Sequence, residues 1–141
     1  MSLQEENKAV VVRYNHEVIA QGNVDTLQEL LAPSFINHSA PAGMDNGPGG
    51  MAYTFFQLLR PAFADLQVEV YDQVAADDKV TTRKALTGTH TGELLGLAPT
   101  HQRVVIDVID IFRLHNGQLV EHWGLNTLPA ILQQLAAHTA A

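Results

Sequence analysis

The chain has 141 residues, 46% of them hydrophobic and 16% charged, which fits one globular domain of ordinary size. Its formal net charge is −7 and it has only eight Lys and Arg residues, so it lacks the clustered basic surface that nucleic acid or an anionic membrane requires. It has no cysteine, which excludes disulfides, thiolate catalysis and cysteine-ligated metals, and no apolar run approaches the roughly 20 residues of a membrane span.

The first half of the chain predicts three helices. Apolar residues recur at helical spacing over residues 3–21, and Gly22 is a natural stop. A second helix runs through Leu27 and Leu30 and ends before Pro33. Residues 34–39 predict a short extended segment, and the Gly- and Pro-rich residues 41–50 predict a loop. A third helix starts at Pro48 or Gly49, with apolar residues from Met51 to Phe63 on one side, and Pro61 bends or ends it.

The second half of the chain predicts strands. From Leu66 the apolar period changes to two, and further strands are predicted over residues 80–90, 104–114 and 119–126. Asn116-Gly117 is the strongest short hairpin signal in the chain, and residues 128–137 predict a closing amphipathic helix. Three helices, four antiparallel strands and a final helix predict a single α+β domain over residues 1–141. Because sheets twist, this sheet should curl around the helices.

The last hairpin places two carboxylates among apolar side chains. Counting back from a two-residue turn, Asp110 opposes Trp123 and Phe112 opposes Glu121, and opposed residues share a sheet face. This face is predicted to line an apolar pocket. Loss of hydration there would raise a carboxylate pKa, which suits general acid–base catalysis by Asp110 or Glu121.

Two alternatives stay open for this hairpin. Glu121 could instead lie in solvent or pair with Arg103 or Arg113. A one-residue bulge would also swap the faces, and His122 and Arg113 would then turn inward.

Three further positions are candidates for the pocket. His90 ends the second predicted strand between two glycines, where it is either a proton carrier or a structural histidine bonded to the following loop. Arg83 and Lys84 lie on opposite faces of that strand, so at most one turns inward, and a buried Arg83 would need a carboxylate such as Asp110. His38 is either a polar group at the pocket mouth or part of a surface turn.

Other site chemistry has little support. No two histidines have the spacing of a helical zinc site, and His90, His101 and His122 could meet only through the fold, so no metal is expected. The chain has neither a nucleophile elbow nor a phosphate-binding loop with its Lys-Ser/Thr pair.

Eight short stretches, in this order and spacing, resemble the SnoaL-like polyketide (ester) cyclases, a family within the nuclear transport factor two-like superfamily. They are FINHS at 35–39, PAFADL at 61–66, GTHTGE at 88–93, PT at 99–100, IDIFR at 109–113, NGQ at 116–118, EHW at 121–123 and QQL at 133–135.

The resemblance implies a cone-shaped, curled antiparallel sheet wrapped around the N-terminal helices, with an internal apolar pocket and often dimerisation through the sheet. It also implies catalysis without cofactor or metal, in which proton abstraction leads to an intramolecular aldol-type ring closure. The family's acid usually lies four residues after the motif's tryptophan, and that position here is Thr127. Threonine is not a base near pH 7, so Asp110 or a histidine would have to substitute, although Thr127 could still face the pocket.

Three functional hypotheses follow. The first is a cyclase-like enzyme acting on a small, largely apolar carbonyl compound, with Asp110 as base and His90 or His122 as acid or orienting group. The second is another pocket enzyme of the same cone fold, such as an isomerase, a dehydratase or an epoxide hydrolase. The third is a non-catalytic small-molecule-binding or dimerisation module, which Thr127 favours.

The residues expected to contact the ligand are His38, Arg83, Phe112, Trp123 and Thr127, with Trp123 as the wall that positions a flat substrate. The expected partners are an apolar or aromatic small molecule and a second copy of the chain, with no nucleic acid and no membrane. Val105, Ile109, Ile111 and Val120 would form the dimer interface on the outer sheet face. The acidic N-terminus lacks a signal-peptide pattern, so we expect a cytoplasmic protein.

Overall fold

Four helical stretches surround one face of the sheet. The computed structural model describes residues 1–140 and the side chains as far as His138. The helical segments are Leu3–Arg13 with π-helical turns at Tyr14–Ala20; Val24–Leu30; Pro48–Ala52 with π-helical turns at Tyr53–Leu59 and a last turn at Arg60–Ala62; and Leu128–Ala140. All four predicted helices are therefore present, with ends within a few residues of those expected.

Local hydrogen bonds explain where the helices begin and end. Ser2 caps the first helix by accepting from the Glu5 amide, and the Asn23 side chain caps the second. Arg60 of the third helix donates to the carbonyls of Ile19 and Ala20, at 2.8 and 2.7 Å, and so satisfies the end of the first helix.

The sheet has five strands in the order β1-β5-β4-β3-β2. They are β1 (Leu31–Asn37), β2 (Gln67–Ala76), β3 (Lys79–Thr89), β4 (Arg103–His115) and β5 (Gln118–Asn126). Strands β2 to β5 form the predicted antiparallel series. The predicted extended segment is longer than expected and adds a fifth strand, because β1 pairs in parallel with β5 and covers its otherwise open edge.

The last hairpin contains a β-bulge that changes its register. Asn116 and Gly117 have φ of 50° and 77°, as a type I′ turn requires, and Leu114 opposes Leu119 as predicted. One step further Arg113 opposes Glu121, which leaves Val120 as an extra residue in β5.

The bulge overturns part of the predicted pairing. Phe112 opposes His122 and Asp110 opposes Gly124, so the predicted pairs of Asp110 with Trp123 and of Phe112 with Glu121 are wrong. Beyond Val120, the β5 residues that were predicted to face inward face outward, and those predicted to face outward face inward. The residues of β4 keep their predicted faces. The bulge alternative is therefore right for His122, which turns inward, and wrong for Arg113, which stays on the outer face.

The core lies between the helices and the inner sheet face. Phe112 is fully buried at its centre, with ring centroids 5.0 Å from Tyr14 and 6.5 Å from Phe35. The π-helical turns of the first helix direct the consecutive side chains of Tyr14 and Asn15 into this region, where both are buried. Among residues 1–140, no helix is long and apolar enough to cross a bilayer.

Candidate active site

A cavity of about 290 Å³ lies between the inner sheet face and the first and third helices. Most of its wall is apolar, and the π-helical turns of both helices contribute to it. Four lining residues carry groups that can move or bind a proton: Tyr14, Lys84, Asp110 and His122. A largely apolar cavity with a few convergent polar groups is the usual form of a small-molecule site.

Asp110 contacts two of the other three residues, Lys84 and His122. Its side chain is 3% exposed, and its Oδ2 lies 3.2 Å from Lys84 Nζ and 3.4 Å from His122 Nε2. The other oxygen, Oδ1, is buried and has no hydrogen-bond partner within the described part of the chain. A buried acceptor without a donor is costly, so Oδ1 has hydrogen-bonding capacity that the described chain does not use.

The charge state of Asp110 follows from its neighbours. Burial raises the pKa of the carboxyl, but attraction to Lys84 and the contact with His122 outweigh that effect, so the pKa lies below its ordinary value. Asp110 is thus a carboxylate at neutral pH.

Lys84 is the inward-facing member of the Arg83–Lys84 pair. Its side chain is 3% exposed, and its Nζ donates to Asn15 Oδ1 at 2.6 Å in addition to contacting Asp110. Asn15 is itself fixed, because its Nδ2 donates to the Val11 carbonyl at 2.9 Å. The prediction that Arg83 contacts the pocket is wrong: Arg83 is 54% exposed and pairs with Asp72 on the outer face.

His122 is oriented by β1. Its Nδ1 lies 2.8 Å from Asn37 Oδ1, and that same oxygen accepts from the Ser39 amide at 3.0 Å. Asn37 Oδ1 is therefore an acceptor, which assigns the Nδ1 proton to the ring. The opposite nitrogen, Nε2, lies 3.4 Å from Asp110 Oδ2 and is the ring atom that can exchange a proton with the carboxylate.

Gly124 makes room for this pair. It lies opposite Asp110, and an added Cβ would come within 2.9 Å of the His122 ring. A glycine inside a strand is a known sign of close approach, and this signal could have pointed to position 124. Lys84, Asn15, Asn37 and Tyr14 were also missed as site residues, because their convergence depends on contacts distant in sequence.

Trp123, Glu121 and His38 form a separate cluster on the outer side of β5. His38 Nε2 lies 2.7 Å from Glu121 Oε2, and the His38 ring stacks on Trp123 at 4.9 Å. Glu121 also binds Arg113 Nε, and the Arg113 and His38 hydrogen bonds hold the pKa of Glu121 below its ordinary value. The predicted pocket positions of Trp123, Glu121 and His38 are wrong, and the alternative pairing of Glu121 with Arg113 is confirmed.

Thr127 and Phe112 have structural positions. Thr127 exchanges two hydrogen bonds with the Asp107 backbone, at 2.9 and 3.0 Å, and its carbonyl accepts from the Ile131 amide in the C-terminal helix. It thus joins the end of β5 to that helix and does not line the cavity. Phe112 is fully buried in the core and is likewise not part of the cavity wall.

His90 lies in a second buried cluster. Its Nδ1 accepts from the Thr100 amide at 3.3 Å, its ring lies 6.0 Å from Phe63, and its side chain is fully buried outside the cavity wall. The structure thus places His90 as the alternative prediction has it, a histidine bonded to the following loop. No three metal-ligating side chains within the described residues come together as a metal site.

We expect His90 to make the fold sensitive to acid. Burial lowers its pKa from 6.5, so the unfolded chain binds the proton more readily than the folded chain. The stabilisation is present above pH 6.5 and is lost as the pH falls through the lower folded pKa. Urea unfolding at pH 7.5 and 5.5 should show a smaller loss of stability for His90→Gln than for the parent protein. An equal loss in both would assign the acid sensitivity to other groups.

Sequence comparison identifies the family to which the chain belongs. The model of the family described as SnoaL-like polyketide cyclase matches residues 9–135. The chain belongs to the SnoaL-like polyketide cyclase family. It is 26% identical over 118 residues to the nogalonic acid methyl ester cyclase of Streptomyces nogalater, covering 81% of this chain and 86% of that one.

Solved structures of SnoaL-like proteins share the whole fold. A SnoaL-like protein from Jannaschia sp. CCS1 superposes with a TM-score of 0.82 at 28% identity, covering 97% of this chain and 96% of its own. AclR from Streptomyces galilaeus, for which a hydroxylase activity has been suggested, gives 0.83 at 27% identity over 95% and 98%. The predicted α+β cone fold is therefore confirmed, and it is shared by proteins with different suggested chemistry.

Proposed function

We propose that this SnoaL-like protein removes a proton next to a carbonyl group in a small, largely apolar compound, using its side chains without cofactor or metal. The observation that supports this most directly is Asp110, a residue of the apolar cavity wall whose carboxylate oxygen Oδ1 has no hydrogen-bond partner in the described structure. A base must be ionised and near the proton it removes. The lowered pKa of Asp110 keeps it ionised, and its place in the cavity wall puts it beside a bound ligand.

The steps of the reaction can be assigned to named atoms. Asp110 Oδ1 takes the proton from the carbon, and the C–H electron pair becomes an enolate. In a cyclisation, the enolate carbon attacks a second carbonyl of the same molecule and forms the new C–C bond. The resulting alkoxide receives its proton either directly from Asp110, or from His122 Nε2 while Asp110 passes its own proton to that nitrogen. Either route restores the carboxylate. His90, Glu121 and Trp123 have no part in these steps, because none of them lines the cavity.

Ring closure is the outcome that the family favours. The S. nogalater relative is by name a cyclase of a methyl ester, and the resemblance covers most of both chains. The base differs in position, because Thr127 stands where the family usually has its acid and bonds to Asp107 instead. An isomerase is the second candidate, since the same pair of Asp110 and His122 could return the proton to a different carbon without forming a C–C bond.

Deuterium exchange tests the proposed step without knowledge of the natural substrate. An aromatic β-keto ester is incubated with the protein in D₂O, and loss of its acidic C–H signal is followed by NMR. We expect exchange faster than in buffer alone, saturable with ester concentration. Binding of the ester without faster exchange would contradict the proposal and support a non-catalytic binding module.

We also propose that two copies of the chain associate through the outer sheet face. Apolar side chains are exposed there on adjacent strands, including Ile36 at 41%, Val105 at 46%, Ile109 at 53% and Leu125 at 82%. Several exposed apolar groups on one sheet face are typical of an interface, and a twofold axis would pair this face with itself.

We expect Ile109→Glu to convert a dimer into a monomer. The substitution places a charge next to the exposed Leu125 on the outer sheet face, where a second copy would remove it from water. Sedimentation velocity would measure the change in mass, with Val24→Glu as a control on a helix of similar exposure, 47%, away from the sheet. A parent protein that sediments as a monomer would contradict this proposal.

A further inference from the structure

Lys84 is the one buried cation beside the proposed base in the described structure. Its ammonium has three N–H groups, and two have acceptors, Asn15 Oδ1 at 2.6 Å and Asp110 Oδ2 at 3.2 Å. The third has no acceptor in the part of the chain that the structure describes, and Lys84 lines the cavity. Lys84 and Asp110 thus line the same apolar space, and each has a polar atom with hydrogen-bonding capacity unused in the described structure.

This ion pair presents a difficulty for the proposed base. A cation next to Asp110 keeps it ionised but also makes it a weaker base, which opposes removal of a proton from carbon. The difficulty is resolved if Lys84 also stabilises the product of proton removal. When Asp110 accepts a proton it becomes neutral, and Lys84 is then a buried charge without a counter-ion, which is strongly unfavourable.

We propose that Lys84 binds the enolate oxygen formed by Asp110, and that the cavity therefore has an affinity for enolate and phenolate ions. This inference rests on the proposed function. The negative charge moves from Asp110 to the ligand oxygen, and that oxygen replaces Asp110 as the partner of Lys84. The interaction is stronger after proton transfer than before it, which is what lowers an activation barrier.

The surroundings of Lys84 suit this role. Asn15 fixes the ammonium from the first helix, so little reorientation is needed during the reaction. The Tyr14 ring lies 5.7 Å from Nζ, and among the described residues the Tyr14 hydroxyl has only the Met51 sulfur, at 3.4 Å, as its acceptor. Burial, followed by the nearby Asp110 charge, raises the pKa of Tyr14, so its hydroxyl stays protonated and can donate to the same oxyanion.

Binding of 2-naphthol measures the inference directly, because its absorbance and fluorescence distinguish the neutral and ionised forms. In Asp110→Asn the pair has lost its negative charge, as it does when Asp110 is protonated in the reaction. We expect this variant to bind naphtholate about tenfold or more tighter than the parent, the size of one charge-assisted hydrogen bond. Naphthol bound to Asp110→Asn should therefore ionise at a lower pH than free naphthol.

The double variant Asp110→Asn/Lys84→Met shows whether the gain comes from Lys84. Both charges are removed together, so no buried ion is left without a partner to destabilise the fold. We expect the preference for naphtholate to disappear, while Asp110→Asn/Lys79→Met, which alters an exposed lysine of the same strand, keeps it. Equal naphtholate binding by Asp110→Asn and by the Lys84 double variant would overturn the inference.

The rate of Lys84→Met separates the proposed role from a merely structural one. If Lys84 only kept Asp110 ionised, its loss would make a stronger base, and exchange at pH 8 would stay the same or become faster. If Lys84 binds the enolate, exchange should fall by about 10²-fold, as on loss of an oxyanion donor. The naphthol result does not depend on turnover, so a protein that exchanges no C–H proton yet binds naphtholate through Lys84 would contradict the proposed function alone.

Discussion

Asp110→Asn should lower the rate of enzyme-dependent deuterium exchange by about 10²- to 10⁴-fold, the usual contribution of a general base. The amide has the shape of the carboxylate but cannot accept the proton. Its oxygen can still receive the Lys84 hydrogen bond, so the cavity should keep its form. NMR exchange rates at saturating β-keto ester would measure the change, with chemical denaturation to show that the variant is folded.

Asp107→Asn is the matched control, because it makes the same chemical change on the same strand at an exposed position. We expect its exchange rate to stay within about twofold of the parent, as for surface changes remote from a site. Full exchange activity in a folded Asp110→Asn would rule out Asp110 as the base.

The sequence was sufficient to predict that Asp110 faces the interior, because β4 is regular from Arg103 to Leu114 and its faces alternate without interruption. It was not sufficient for β5. The bulge at Val120 reverses the faces of every later residue in that strand, and a valine carries no local signal for a bulge. Because of this one extra residue, His122 is the β5 side chain next to Asp110, and Glu121 and Trp123 lie on the opposite face.

The partners of Asp110 depend on contacts that local patterns do not contain. Alternation showed that only one of Arg83 and Lys84 could turn inward, and the choice was settled by an acceptor on the first helix, Asn15. The orientation of His122 depends in the same way on Asn37, which reaches it because β1 adds to the edge of β5. The Lys84–Asn15 contact joins positions separated by 69 in the sequence, and the His122–Asn37 contact joins positions separated by 85. Both separations are beyond the range of periodicity arguments.

Phe112→Ala should lower the free energy of unfolding by about 3–5 kcal/mol, more than any other substitution proposed for this protein. The side chain is fully buried, and its ring contacts Tyr14, Phe35 and His122, the last at 4.7 Å. Removing it leaves a void at the centre of the core. Because domains are stable by only about 5–15 kcal/mol, urea unfolding should show a large shift of the midpoint.

The same variant distinguishes a core residue from the ligand contact that the sequence suggested. A residue that only contacts substrate would weaken ester binding with little change in unfolding, whereas Phe112 does not line the cavity and should change stability first. Tyr53→Ala is a suitable control, because this aromatic side chain is 44% exposed in the third helix and its removal should cost well under about 1 kcal/mol. If Phe112→Ala unfolded at the same urea concentration as Tyr53→Ala, the central role of Phe112 in the core would be refuted. Loss of the ring should also release His122, so the exchange rate should fall together with stability.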